Sequence, residues 1–275
     1  MTVRSALYVP GDQRDKLDKA FLRGADAVIV DLEDAVLPAR KEAARESVRG
    51  WLASLPSSRP AEVWIRVNSG DDMTTDLRAI GAAPAVTGFV LAKTEGPEQV
   101  AAAAAVLDEV GSQARLSPLI ETAGAVLRAA SIAQGPRVTG LQIGEVDLCA
   151  DAGITVGPDE IELLTARAMV VLVSADTGLD PPLGPVSTDF RDLEVLRRTT
   201  EALQRLGFVG RACIHPAQVD VVNDVYTPTA DQVAQARDVL RRFEEAAGGV
   251  TTDENGRMVD RAVLRRAERL LALLA

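Results

Sequence analysis

Two hydrophobic periods alternate along this chain. Runs with strand character, either continuously apolar and β-branched or alternating in polarity, fall at residues 4–9, 27–30, 62–68, 88–92, 119–120, 141–143, 179–185 and 209–214. Stretches of helical composition separate them at 13–23, 38–52, 76–82, 97–110, 124–133, 158–174 and 189–206. Pro10-Gly11 breaks the first strand, Asp12 stands where it could cap the first helix, and Gly24 closes that helix. The seventh strand is the poorest, because three prolines interrupt it. Eight strands alternating with helices over about 225 residues predict an α/β fold, a (β/α)8 TIM barrel.

The barrel accounts for residues 1–227. Residues 228–275 then form a C-terminal segment, expected as a helix over 230–247, a Gly248-Gly249 turn, a polar loop through Asp253-Glu254-Asn255-Gly256 and a helix from Arg261 onward. Closing the barrel does not require this tail.

Residues just past the strand C-termini of such a barrel line its functional face. Two apolar runs end on acids there, Leu119-Ile120-Glu121 and Leu141-Gln142-Ile143-Gly144-Glu145-Val146-Asp147, so Glu121 and Asp147 are expected to share a pocket. They read either as a metal site or as solvated loop carboxylates. Asp31-Leu32-Glu33-Asp34 sets three acids at the end of the second strand, as an acidic rim for metal-bound water or acid/base chemistry, or as a helix N-terminus. Arg66 is out of place in an apolar strand and needs a partner, either a substrate oxyanion or the acidic rim beside it, two compatible readings. Lys93 stands at the end of the fourth strand.

Composition narrows the chemistry. At 275 residues, 47% of them hydrophobic, the chain can bury a large core. A net charge of -10 argues against nucleic acid, which needs a sustained basic surface. No apolar run reaches the ~18 residues of a membrane span and no basic-apolar leader opens the chain, so a cytoplasmic protein is expected. Cys149 and Cys213 are far apart and expected to be small buried apolar residues rather than a disulfide or zinc ligands. His215 is the only histidine, which excludes a multi-His zinc or iron site. Ligation by two carboxylates favours Mg2+ or Mn2+. No G-x-S-x-G, G-x-G-x-x-G or P-loop fingerprint is present.

Several segments occur together in a specific order: Ser5-Ala6-Leu7-Tyr8-Val9-Pro10-Gly11-Asp12, the run from Gly24 through Asp31-Leu32-Glu33-Asp34 to Val36, Arg66-Val67-Asn68, Leu119-Ile120-Glu121-Thr122, Cys213-Ile214-His215-Pro216 and Met258-Val259-Asp260. Over essentially the whole chain this closely resembles the citrate lyase beta-subunit-like aldolases of the HpcH/HpaI superfamily. The resemblance implies a TIM barrel with a C-terminal lid, assembled as a homotrimer or homohexamer. It implies a Mg2+-dependent lyase that cleaves a 3-hydroxyacyl-CoA thioester, such as citramalyl-, malyl- or citryl-CoA, into an acyl-CoA and a 2-oxo acid. Glu121 and Asp147 match the family's metal ligands. Arg66 matches its substrate-binding arginine, with Pro10, Gly11, Lys93, Gly144 and Glu145 around the substrate. Glu33 and Asp34 match its acidic rim, and Asp260 an aspartate that CoA-using members insert into a neighbouring subunit's site.

Two departures stand out. The family often reads Gly-Ala-Glu-Asp-Leu where this chain has Gly144-Glu145-Val146-Asp147-Leu148, and its Pro-Gly-Asp loop usually continues Arg-Pro rather than Gln13-Arg14. Both lie near the expected substrate, so they bear on the acid handled rather than on the reaction class. Two other activities fit the same family: malate-synthase-like condensation with thioester hydrolysis, and a beta subunit working only inside a citrate lyase complex on an acyl-carrier-protein substrate. The second is expected to be longer and to lack Met258-Val259-Asp260.

Overall fold

The barrel wall follows from the apolar runs. In a computed structural model, which describes residues 3–246 and 249–274, eight parallel strands close into a barrel in sequence order. They are β1 (Ser5–Pro10), β2 (Ala27–Asp31), β3 (Glu62–Val67), β4 (Gly88–Leu91), β5 (Arg115–Ile120), β6 (Gln142–Ile143), β7 (Leu183–Gly184) and β8 (Gly210–Cys213). The α/β TIM-barrel expectation therefore holds. β2, the most β-branched run, is buried at every position, as a strand covered on both faces must be.

Alternation along the strands separates two faces. Ala6, Ala27, Ile29, Val90 and Leu119 pack together, with Tyr8, Trp64 and Leu183 against them. Gly88 leaves room for the Trp64 indole, since a Cβ there would fall 2.3 Å from the ring. Continuing the same parity by one step brings Asp31, Arg66 and Glu121 to the carboxyl ends of β2, β3 and β5. Asp31 and Arg66 are register partners across β2 and β3.

The outer helices are α1 (Arg14–Leu17), α2 (Lys41–Ser54), α3 (Asp71–Ile80), α4 (Pro97–Glu109), α5 (Ala123–Ala133), α6 (Glu145–Ala152), α7 (Leu164–Asp176), α8 (Leu193–Leu206) and α9 (Ala217–Tyr226). Several depart from expectation. The first helix is a single α-turn followed by a 3-10 turn, Ala20–Arg23, closed by Gly24 at φ 74°. Asp12 does not cap it, because its carboxylate pairs with Arg40 at 3.2 Å. The helix expected from Pro158 starts at Leu164, since Glu160 takes a left-handed φ of 55° and a 3-10 turn intervenes. No helix begins on the Asp31–Asp34 cluster; the next helical turn opens at Pro38. α6 and α9 were not expected as helices.

Residues 224–246 and 249–274 form a second compact unit. It holds α10 (Ala230–Glu245), which starts at a capping box between Thr229 and Gln232, then a hairpin of β9 (Thr251–Thr252) and β10 (Met258–Val259), and α11 (Arg261–Ala272). The expected end of the tail helix at Ala247, the Gly248 of its turn, and Met1-Thr2 lie outside the described residues. Among the described residues no helix is long and apolar enough to cross a membrane. Cys213 is buried and Cys149 half-buried, and neither forms a disulfide.

Candidate active site

The loop after β2 is organised by Asp31. Its carboxylate accepts Arg66 Nε at 2.7 Å and Nη2 at 2.6 Å, and the backbone amides of Glu33 at 2.9 Å and Ala35 at 3.1 Å. Arg66 Nη1 is left facing Glu33 at 3.1 Å and Asp34 at 3.6 Å. The guanidinium carbon also lies 5.1 Å from the centre of the Tyr8 ring, a cation–π contact. Burial opposes the charge on Arg66, but the Asp31 fork outweighs it and holds the guanidinium protonated. Removing one partner of such a buried pair typically costs ~3–5 kcal/mol, because the other charge stays buried. The loop is supported from below as well. Lys41 Nζ donates to Asn68 Oδ1 and to the Leu32 carbonyl at 3.2 Å, and Asn68 Nδ2 and Arg45 Nε both donate to Asp76.

Glu33 and Asp34 are hydrogen-bonded and differ in environment. Burial raises the Glu33 carboxyl, against the pull of Lys93 and Arg66. Asp34, whose side chain is 55% exposed, is also raised by burial but is brought below the usual range by Glu33, Arg66 and Lys93. Lys93 Nζ donates to Glu33 Oε1 and stands 3.5 Å from Asp34, and that hydrogen bond pushes its ammonium up to about 12. The Tyr8 hydroxyl is raised by burial.

Glu121 follows β5 directly and is 2% exposed. Its Oε1 accepts the Lys93 backbone amide at 2.5 Å. Lys93 itself stands at φ 50°, a left-handed conformation costly for a non-glycine residue and often found at functional sites. Gly144 leaves the space Glu121 needs, because a Cβ there would sit 2.6 Å from Oε2. Asp147 is half-buried in the first turn of α6 rather than at a strand end. Burial, reinforced by the charges of Asp147 and Glu33, pushes the Glu121 carboxyl up to about 8.

Two oxygen-donor side chains whose charges oppose each other fit a hard divalent cation, which would relieve that repulsion and keep water in its remaining positions. Among the described residues no group of three or more His, Cys, Asp or Glu is placed to hold an ion. The candidate set is therefore Glu121 and Asp147. Without a cation, Glu121 makes the fold pH-dependent. Relative to alkaline solution, its protonated form stabilises fully below the ordinary value of 4.5, and that contribution is lost as pH rises toward about 8. In chelator the melting midpoint is expected to be lower at pH 8.5 than at pH 6.5, and Glu121→Gln to flatten the difference. An unchanged slope in the variant would assign it to other groups.

The barrel thus brings Arg66, Glu33, Asp34, Lys93 and Glu121 together, with Gly144 and Asp147 beside Glu121. Pro10 is in register with Asp31, and Gly11 donates its amide to the Asp31 carbonyl at 2.8 Å. A Cβ on Gly11 would meet Leu32 at 2.9 Å, so this turn buttresses the β2 loop. Glu145, expected at the substrate, is instead forked by Arg167 at 2.5 and 2.7 Å, and Arg167 Nη1 also reaches Glu160 at 2.8 Å. The neighbouring Val146 is 56% exposed. Asp260 caps α11 in the second unit, accepting the amides of Ala262 at 2.8 Å and Val263 at 3.0 Å. Tyr8, Lys41, Asp76 and Arg167 are residues of this region that the sequence pattern does not single out. Tyr8 was within reach, since the parity that turns Ala6 inward applies to it too.

The HpcH/HpaI aldolase/citrate lyase family pattern matches residues 4–216. The chain belongs to this family. Within the HpcH/HpaI group, it is 33% identical to a (3S)-malyl-CoA thioesterase of Cereibacter sphaeroides over 98% of this chain and 93% of that protein. It is 30% identical to the citrate lyase subunit beta of Leuconostoc mesenteroides subsp. cremoris over 98% and 92%. The barrel and tail also resemble the crystal structure of CitE from Mycobacterium tuberculosis in complex with magnesium, acetoacetate and coenzyme A, with a TM-score of 0.82, 32% identity, and 98% and 97% of the two chains covered. Since the beta subunit is matched over nearly its full length, length does not separate this HpcH/HpaI protein from such subunits.

Proposed function

We propose that the protein is a Mg2+-dependent carbon–carbon lyase that cleaves a 3-hydroxyacyl-CoA thioester of the malyl, citramalyl or citryl type into an acyl-CoA and a 2-oxo acid. The observation that carries this reading is the buried Glu121 beside Asp147, a two-carboxylate site at the barrel mouth it shares with a guanidinium clamped by Asp31. Likeness along the full chain to a protein crystallised with magnesium, acetoacetate and coenzyme A supports it.

The chemistry sets what each residue must do. The C3 hydroxyl gives its proton to water in the open barrel mouth, the C2–C3 bond breaks, and its electron pair moves onto C2, leaving a thioester enolate and a new carbonyl at C3. A proton delivered to C2 then completes the acyl-CoA. A divalent cation held by Glu121 and Asp147 would polarise the oxygen that becomes the new carbonyl. Arg66, fixed by Asp31, stabilises negative charge on the enolate oxygen without reorganising. Glu33 and Asp34 hold Arg66 and Lys93 in place, and Lys93 through its backbone fixes Glu121. Asp260, from a neighbouring copy in a homotrimer or homohexamer, is assigned the proton for C2.

Arg66→Lys keeps the charge and loses the planar fork, so turnover is expected to fall at least ~10-fold with the circular dichroism spectrum retained. Loss of fold with unchanged turnover per folded molecule would make Arg66 purely structural.

The deciding experiment is a panel of malyl-, citramalyl- and citryl-CoA assayed in parallel for 2-oxo acid and for free CoA thiol. Release of a 2-oxo acid with intact acyl-CoA supports the lyase. The second reading, thioester hydrolysis, is favoured by the likeness to (3S)-malyl-CoA thioesterase and would appear as free thiol with no 2-oxo acid.

A further inference from the structure

We propose that Asp151 is a positioning residue that holds Asp147 opposite Glu121 and thereby sets the affinity of the cation site; the inference rests on the metal reading above.

α6 has little to hold it in place. Of its eight residues only Leu148 is buried. Polar ties do the work that an apolar face does for longer helices. At its first residue Glu145 is forked by the buried Arg167 of α7. One helical turn beyond Asp147, the exposed Asp151 accepts the backbone amide of Ala123 at 2.8 Å.

The spacing gives that second tie its meaning. Asp147 and Asp151 are four apart and share one face of α6. Ala123, the first residue of α5, lies two positions after Glu121, and its amide is one of the donors a helix start leaves without an intrahelical partner. On the other side of Glu121, the Ile120 carbonyl accepts the Gly144 amide at 2.9 Å. Two cross-links, Ile120 to Gly144 and Ala123 to Asp151, therefore bracket Glu121 on one segment and Asp147 on the other. Because the two acids repel, the separation a cation needs must be imposed from outside the pair, and the Asp151 bond closes the open side.

Magnesium titration calorimetry on the full chain tests this. Asp151→Ala is expected to weaken Mg2+ binding ~10- to 100-fold, the usual scale for residues that orient metal ligands, while Asp151→Asn keeps an acceptor oxygen and restores most of it. Ala123→Pro deletes the donor at a first helical position where proline is tolerated, and should reproduce the loss even if Asp151→Ala folds poorly. A merely structural role would lower the melting midpoint in chelator and leave Mg2+ affinity alone. Wild-type affinity in both Asp151→Ala and Ala123→Pro overturns the proposal when Glu121→Ala abolishes binding. If Glu121→Ala itself binds Mg2+ normally, the metal reading fails and the proposal falls with it.

Discussion

Glu121→Ala is expected to abolish measurable Mg2+ binding and to lower turnover in the proposed lyase reaction by at least ~10²-fold, with a folded protein. The substitution removes one of only two candidate protein ligands, and water replacing a carboxylate leaves Asp147 alone to hold a divalent ion. The fold should tolerate it better than a core truncation of equal burial. What is lost is a buried carboxyl raised to about 8 by its surroundings, a group that opposes folding once ionised. The cost falls on Lys93, whose backbone amide loses its acceptor. Calorimetry and circular dichroism on the same preparation separate the two effects, and Mg2+ affinity equal to wild type would sink the ligand assignment.

Asp260→Ala carries the other large effect. In this structure Asp260 is an N-cap, and the two amides it accepts hold its carboxyl below the ordinary range. A cap with a lowered pKa is a poor proton donor. The proposed role therefore requires that Asp260 be desolvated beside bound thioester in a neighbouring copy, which would raise it. Loss of a cap alone would lower the melting midpoint by a few degrees and spare turnover. Loss of a general acid should cost roughly 10²- to 10⁴-fold in rate. Mixing Asp260→Ala chains with Glu121→Ala chains distinguishes them further, since a site shared between copies regains activity only in mixed oligomers. A mixture that stays inactive, with both variants folded and assembled, would show that Asp260 does not act in a neighbouring copy's site.

The barrel was legible because apolar runs and turn residues agree along most of the chain, and β2 is the clearest case. α6 was not, although acids in its first turn and a closing Gly153 mark a helix. The apolar run before it drew Glu145 and Asp147 into the reading of a strand end. Arg66 shows the opposite limit. Sequence alone weighed an anion against the acidic rim; the register places Asp31 directly beside it, so the rim holds the guanidinium that the substrate is proposed to meet. The fate of Glu145 depended on Arg167, which is distant in sequence and carries no local signal. The resemblance makes Asp260 an acid for a neighbouring copy's site, and the single chain displays it as the cap of α11.

The short sixth and seventh strands leave a seam in the barrel wall. β6 and β7 are joined through one register pair, Gln142 with Leu183, whereas β1 and β2 share five. Backbone amides along such a seam should exchange with solvent deuterium ahead of those in the β1–β4 wall, because few bonds must open together to expose them. Glu121 hangs from β5 on one side of β6, and Asp147 from the helix that follows it, so an ion gripped by both would tie the end of β6 to β5 and steady one edge of that seam. Slowed exchange at residues 141–147 on adding Mg2+ would then report metal loading with no substrate present.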